Sequence, residues 1–354
     1  MKILDRYIAW SILAATFTVL AVLVAIFTFF AFIDQLEDIG RGTYTLVKAA
    51  SFVVLMLPTL TYQLFPMAAL IGALIGFGTL MRNGEVIVIR AAGVSKNRLV
   101  LSVLKSAWVM LVIVLLVGEG LAPPTLRMAE DIRGRALNKH GQMPNESGFW
   151  SRDGKSYVNI REILPGDRLQ DIYIYDFDEL NRLSASTYAE GARYTDEGWI
   201  LENISRTELD DDGIRARRET EAAWDSIIKP DLLAMVKINP DRLGIVSLVR
   251  YLRFLNQNAG DPQRYEHALW RKLSYPLGLV AMVLLAVPMV LRADRSVSVG
   301  QRVLIGAMIG LGFHLLNQTA GHLGVVYEVP AVLSAGAPTL VMLAAALALL
   351  ARTR

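Results

Sequence analysis

From Tyr7 to Ile33 the chain runs 27 residues without a charged side chain. In water such a run has no polar face to present, and in lipid only a helix satisfies all its backbone groups internally. Each helical residue rises about 1.5 Å, so roughly 20 apolar residues cross a hydrocarbon core about 30 Å thick. Six segments reach that length: Tyr7 to Ile33, Ala49 to Met81, about Leu99 to Gly118, Leu273 to Leu291, Val303 to Tyr327, and Val329 to Ala351. The third is the weakest, because Lys105 shortens its uncharged part, and Lys105 is expected to snorkel to the interface. The first run is longer than a signal-peptide core and lacks an A-x-A site, so it is expected to remain as an anchor.

The remaining residues are of another kind. Although 53% of the 354 residues are apolar and 19% charged, Glu119 to Lys272 hold 26 of the 33 acidic and 22 of the 36 basic side chains. A water-exposed domain is thus inserted between two blocks of three helices. The net charge of +3 sits mostly beside the apolar runs rather than on a folded basic face, which argues against a nucleic-acid partner. With the N-terminus inside, Lys2, Arg6, Arg82, Arg90, Lys96, Arg98, Lys105, Arg292, Arg295, Arg302, Arg352 and Arg354 are cytoplasmic. Only Arg41 and Lys48 then fall in short external loops. Basic residues are retained in the cytoplasm, so the inserted domain is expected outside.

That domain reads as strands. Lys155 to Ile163, Gln170 to Phe177, Ala192 to Thr195 and Trp199 to Thr207 are rich in β-branched and aromatic residues, with partial alternation. Turn residues separate them at Asp153-Gly154, Pro165-Gly166-Asp167, Asp196-Glu197-Gly198 and Asp210 to Gly213. Short strands of this kind predict a sandwich or jelly roll. From Ile245 to Gln257 the period becomes helical.

Two segments of the first membrane block stand out. Ala49 to Met81 carries Pro58 and Pro66, then Gly72, Gly76 and Gly78; proline bends a helix, and small residues permit close helix approach. Its length exceeds one crossing, so that part of it is expected to lie flat or line a cavity. The connection from Arg82 to Arg98 pairs an apolar stripe, Val86, Ile87 and Ile89, with Glu85, Arg90 and Lys96. Two readings stand for it: a helix resting on the membrane surface, or one docked into a cytosolic partner through Glu85.

Enzymatic signatures fail. Gly154-Lys155-Ser156 resembles the end of a P-loop, but position 149, where the motif needs glycine, is Phe149. The absence of cysteine removes disulfides and thiolate sites, and His140, His267, His314 and His322 lack metal-ligand spacing. His314 and His322 are expected as helix-helix hydrogen-bond partners or cavity-lining groups. No catalytic residue, metal or bound cofactor is expected.

Phe65 to Leu74 (FPMAALIGAL), Glu85 and Ala91-Ala92-Gly93-Val94-Ser95 together resemble the LptF/LptG family of lipopolysaccharide-export permeases. Leu4-Asp5-Arg6-Tyr7, Ile33-Asp34-Gln35-Leu36, Ala122-Pro123, Met128-Ala129 with Arg133, and Tyr265 to Lys272 resemble its LptG branch in particular. The resemblance implies an integral membrane α-helical bundle of six transmembrane helices with an inserted periplasmic β-jelly-roll-like domain. The expected division is residues 1–122, 123–265 and 266–354.

It also implies a non-catalytic inner-membrane subunit that extracts lipopolysaccharide. The implied partners are an LptF-like permease as heterodimer, an LptB-like ATPase dimer that holds ATP and Mg, and the bridge proteins LptC and LptA. Residues 82–98 would be the coupling helix, with Glu85, Arg90, Gly93 and Ser95 facing the ATPase. Some relatives carry basic residues at the outer end of the first helix, where this chain has Ala31, Glu37 and Asp38. Arg133, Arg135, Arg271 and Lys272 are the expected substitutes for binding substrate phosphates, and Phe27, Phe30, Leu311, Phe313, Leu315 and Leu316 the apolar cavity wall. A proton-coupled secondary lipid transporter and a membrane scaffold are the alternatives.

Overall fold

The computed structural model describes residues 3–137, 141–142, 148–164, 168–178, 182–195, 198–210, 213–226, 240, 243–257, 262–292 and 298–352. Lys2, His140, Pro165 to Asp167, Asp196, Glu197, Asp211, Asp212, Arg295 and Arg354 therefore lie outside the described residues. The backbone divides into two units, Met1–Ile39 with Thr45–Asp131 and Glu266–Arg354, and Gly40–Tyr44 with Ile132–Tyr265.

In chain order the helices before the strands are α1 (Ile3–Leu36), α2 (Leu46–Arg82), α3 (Glu85–Ala91), α4 (Lys96–Leu115) and α5 (Ala122–Ala136). A π-helical turn, Leu116–Leu121, joins α4 to α5. After the strands come α6 (Ile245–Gln257), α7 (Gln263–Arg292), α8 (Val299–Val326) and α9 (Ala331–Ala351). Six helical stretches are long and apolar enough to cross a membrane: α1, α2, Lys96–Ala136, α7, α8 and α9. Because the spans alternate in direction, α1, α4 and α8 start, and α2, α7 and α9 end, at the same end of the bundle.

The centre of the bundle is α2, packed chiefly against α1 and α8. Two-thirds of its most apolar window is buried, against 17% for α1. The glycines explain how it fits. A Cβ at Gly76 would lie 2.6 Å from Ser11 O, and one at Gly72 2.6 Å from Thr16 N, so α1 meets α2 backbone to backbone. Gly306 and Gly310 of α8 instead make room for the side chains of Ile71 and Met67 of α2.

Pro58 and Pro66 do not end α2, which is continuous over 37 residues. Neighbouring helices in a bundle make up for the backbone bond that proline removes. The third span also differs: helical backbone runs from α4 through the π turn and across the 122/123 boundary to Ala136.

The second unit holds one antiparallel sheet. Its strands are β1 (Gly141–Gln142), β2 (Phe149–Asp153), β3 (Ser156–Leu164), β4 (Arg168–Phe177), β5 (Leu183–Thr195), β6 (Gly198–Asp210) and β7 (Gly213–Trp224). β1 and β2 share one edge of β3, and β4 to β7 follow in sequence order. Among the described strands the inserted β domain is thus one hydrogen-bonded antiparallel sheet, in which β3 to β7 form a meander. Period-two alternation puts Val158, Ile160, Ile172, Ile174, Ala189 and Ile204 on the buried side. Tyr188 Oη donates to Asp171 Oδ1 at 2.7 Å, and that carboxylate pushes the phenol up to about 12. Helix α6 occupies the bounds its period indicates.

Candidate functional site

At the end of α2, Gly84 takes a left-handed φ of 79°, which frees the chain to turn directly into α3. Nine residues later Gly93 repeats the device with φ 87°, and the Ser95 hydroxyl caps α4 by accepting from Arg98 N at 3.3 Å. Within α3 the expected apolar stripe splits. Val86 is fully buried and Ile89 packs on the main core, whereas Ile87, Val88 and Arg90 are exposed. One face roots the helix in the bundle. The other presents two aliphatic side chains and a cation away from it.

Both flanks of α3 are tied to the start of α1. Tyr7 Oη donates to Glu85 Oε2 at 2.7 Å, and Asn83 Nδ2 donates to Glu85 Oε1 at 3.3 Å. Beyond α3, Arg98 Nη2 donates to Asp5 Oδ1 and Oδ2 at 3.0 and 3.1 Å, and Ser102 Oγ donates to Asp5 Oδ1 at 2.7 Å. Lys105 Nζ completes the cluster on Asp5 Oδ2. Asp5 is wholly buried, and a carboxylate removed from water persists only when paired and hydrogen-bonded. Lys105 therefore turns to Asp5 rather than simply snorkelling. The sequence carried a signal for this cluster, since an acid at the head of an apolar helix needs a cation.

The expected apolar wall is only partly on one surface. Phe27 and Phe30 of α1 are exposed, as are Leu311, Leu315 and Leu316 of α8. Phe313 is not: at 100° per residue it lies opposite Leu311 and Leu315, and its ring packs over Gly278 of α7. His314 and His322 are exposed on α8, on its outer surface rather than in a helix-helix contact of this chain.

The four expected phosphate ligands are not brought together within either unit. Arg133 and Arg135 end α5 in the unit that holds the sheet, Arg271 and Lys272 lie in the helical unit, and the three arginines carry interactions of their own. Lys272 is committed inside the bundle, where its Nζ donates to Glu119 Oε1 at 2.6 Å and lies 5.6 Å from the Tyr62 ring centroid. Tyr62 in turn stacks on Tyr275 at 4.2 Å, and Tyr275 Oη donates to Tyr62 O at 2.8 Å. Glu119 stands on the π turn, a local widening of the helix often found at functional positions. At the end of α1, Asp38 is buried and engaged, so Glu37 alone of that acidic pair is exposed.

These features define a polytopic α-helical membrane protein with an inserted β domain and a surface helix set between its second and third spans. Residues 6–352 match the family described as lipopolysaccharide export system permease LptF/LptG, and the chain belongs to that family. Among its relatives is the lipopolysaccharide export system permease protein LptG of Haemophilus influenzae. It is 34% identical over 353 residues, which cover 99% of both chains. The protein of the same name from Escherichia coli K12 is 32% identical over 340 residues, covering 95% of this chain and 94% of its own.

Proposed function

We propose that the chain is the LptG-like half of an ATP-driven exporter that lifts lipopolysaccharide out of the inner membrane. It works beside an LptF-like permease and two copies of an LptB-like ATPase, and passes its cargo to LptC and LptA. The observation that carries this reading is α3, a short helix rooted by Val86 yet offering Ile87, Val88 and Arg90 outward. A helix that merely rested on lipid would turn its apolar residues to one side. Ile87 and Val88 instead face away from the bundle beside a cation, as a protein interface requires.

The physical task is severe. Each acyl methylene exposed to water costs about 0.8 kcal/mol, so the chains must stay sheltered along the whole path. The exposed faces of α1 and α8, with Phe27, Phe30, Leu311, Leu315 and Leu316, supply an apolar wall, and the inserted domain receives the lipid beyond it. Arg133, Arg135 and Arg271 attract its phosphates, for which a guanidinium is the best-matched donor. ATP and Mg belong to the partner. Movement of α3 reaches the cavity through the start of α1, because Tyr7 and Asp5 bind α1 to both flanks of α3.

Detergent-extracted protein, isolated through a tag on this chain, should retain an ATPase subunit in stoichiometric amount. Isolation of a six-helix protein with full lipid-export competence and no ATPase would contradict the reading.

A further inference from the structure

Arg302, in the first turn of α8, is only 5% exposed, and its Nε has no hydrogen-bond partner among the described residues. The guanidinium lies against α2 at Gly78, where a Cβ would collide with Nη1. No carboxylate among the described residues pairs with it, and Arg82, the exposed last residue of α2, stands one helical turn beyond Gly78. The same end of the bundle also holds Asp5, buried and met by two cations and a hydroxyl. An arginine stripped of water beside a like charge bears a large desolvation penalty unless an anion joins it.

The surroundings say which anion. Val299, Val303 and Leu304 flank Arg302 on α8 as exposed apolar side chains, a surface suited to lipid. A guanidinium at the end of a lipid-facing span meets the head-group layer, where phosphates carry the charge. Ser298 and Gln301 close a capping box that serves two of the backbone amides at the helix start. The arginine, not the helix end, makes the site.

We propose that Arg302, assisted by Arg82, binds the phosphate of an anionic phospholipid where α2 leads into α3. The bound lipid clamps α2 to α8 at Gly78 and steadies the root of α3. Only the assignment of this end to the cytoplasmic leaflet rests on the function proposed above.

The permease complex is reconstituted in phosphatidylcholine nanodiscs carrying a trace of labelled phosphatidylglycerol, and the bound label is counted per complex. Nanodiscs expose both leaflets, so the result does not depend on orientation, which Lys96→Cys labelling reports separately. Arg302→Gln should lower bound phosphatidylglycerol roughly tenfold or more, the effect of one charged hydrogen-bonding group. Arg292→Gln, at an exposed arginine ending α7, should leave it unchanged. Gly78→Ala keeps both charges but displaces the guanidinium, and should give a several-fold loss even if Arg302→Gln does not fold.

Equal retention by Arg302→Gln and the parent protein would overturn the site. Equal loss with Arg292→Gln would reduce it to diffuse charge. Loss of the ATPase subunit in place of lipid would assign Arg302 to a protein carboxylate. Full displacement by millimolar inorganic phosphate would keep the phosphate chemistry and reject the lipid.

Discussion

In the proposed mechanism Glu85 carries the coupling, and within this chain it is met by neutral donors. Neutral hydrogen bonds from Tyr7 and Asn83 hold the carboxylate in place without neutralising it, which leaves it able to take a cation from a docked subunit. Removing one partner of such a charge pair costs about 2–5 kcal/mol. Glu85→Lys should therefore reduce ATPase copurification more than tenfold while membrane insertion stays intact. Tyr7→Phe, which removes only the positioning hydroxyl, should keep the ATPase bound but slow lipid export. Unimpaired export by Glu85→Lys in a strain depleted of the native protein would remove Glu85 from the coupling role. For the phosphate contact, charge reversal of Arg133 and Arg135 should reduce photocrosslinking of lipopolysaccharide without abolishing ATP hydrolysis. Reversal of Arg215, Arg217 and Arg218 on the exposed edge strand β7 should not. Equal crosslinking in the two sets would assign the phosphates to the partner permease.

Among the elements, the third and fourth spans are joined through Glu119 on the π turn and Lys272 on α7. Lys272 is 9% exposed and Glu119 26%, so losing either partner strands the other charge at a cost of about 3 kcal/mol. Glu119→Gln should lower the thermal midpoint of the purified protein, and adding Lys272→Met should restore part of the loss. Additive losses in the double variant would show that the pair is not coupled.

This link was illegible in the sequence because its two residues are 153 positions apart and an acid between glycines resembles a loop. The spans themselves were legible, since an uncharged run has few ways to satisfy its backbone. Their ends were not: polar residues continue a helix beyond the hydrocarbon, as α5 does. In the sheet, β3, β4 and β6 followed from their β-branched and aromatic residues. The first half of β5, with its Ser, Ala, Glu and Gly, has poor strand propensity and is carried by pairing with β4 and β6 on both sides. β7 was missed because an edge strand exposed on both faces shows no alternation.

As a whole molecule the chain leaves most of the apolar surface of α1, α8 and α9 unburied within it. In a membrane that surface meets lipid or a second permease, and the basic residues of the short loops are expected to orient it. Single cysteines in this cysteine-free chain check the orientation. Asp153→Cys should react with an impermeant maleimide in intact spheroplasts and Lys96→Cys only after lysis; the reverse pattern would invert the topology.

Energy-driven removal of lipid is what distinguishes an exporter from a scaffold or a proton-coupled carrier. The most direct measurement is ATP-dependent transfer of lipopolysaccharide from proteoliposomes containing this chain, its paired permease and the ATPase to a soluble periplasmic acceptor, followed by crosslinking. Transfer that requires ATP and collapses in Glu85→Lys, with ATPase activity of the isolated partner unchanged, is the expected result. Transfer that proceeds equally without ATP, or is driven by a proton gradient alone, would contradict it.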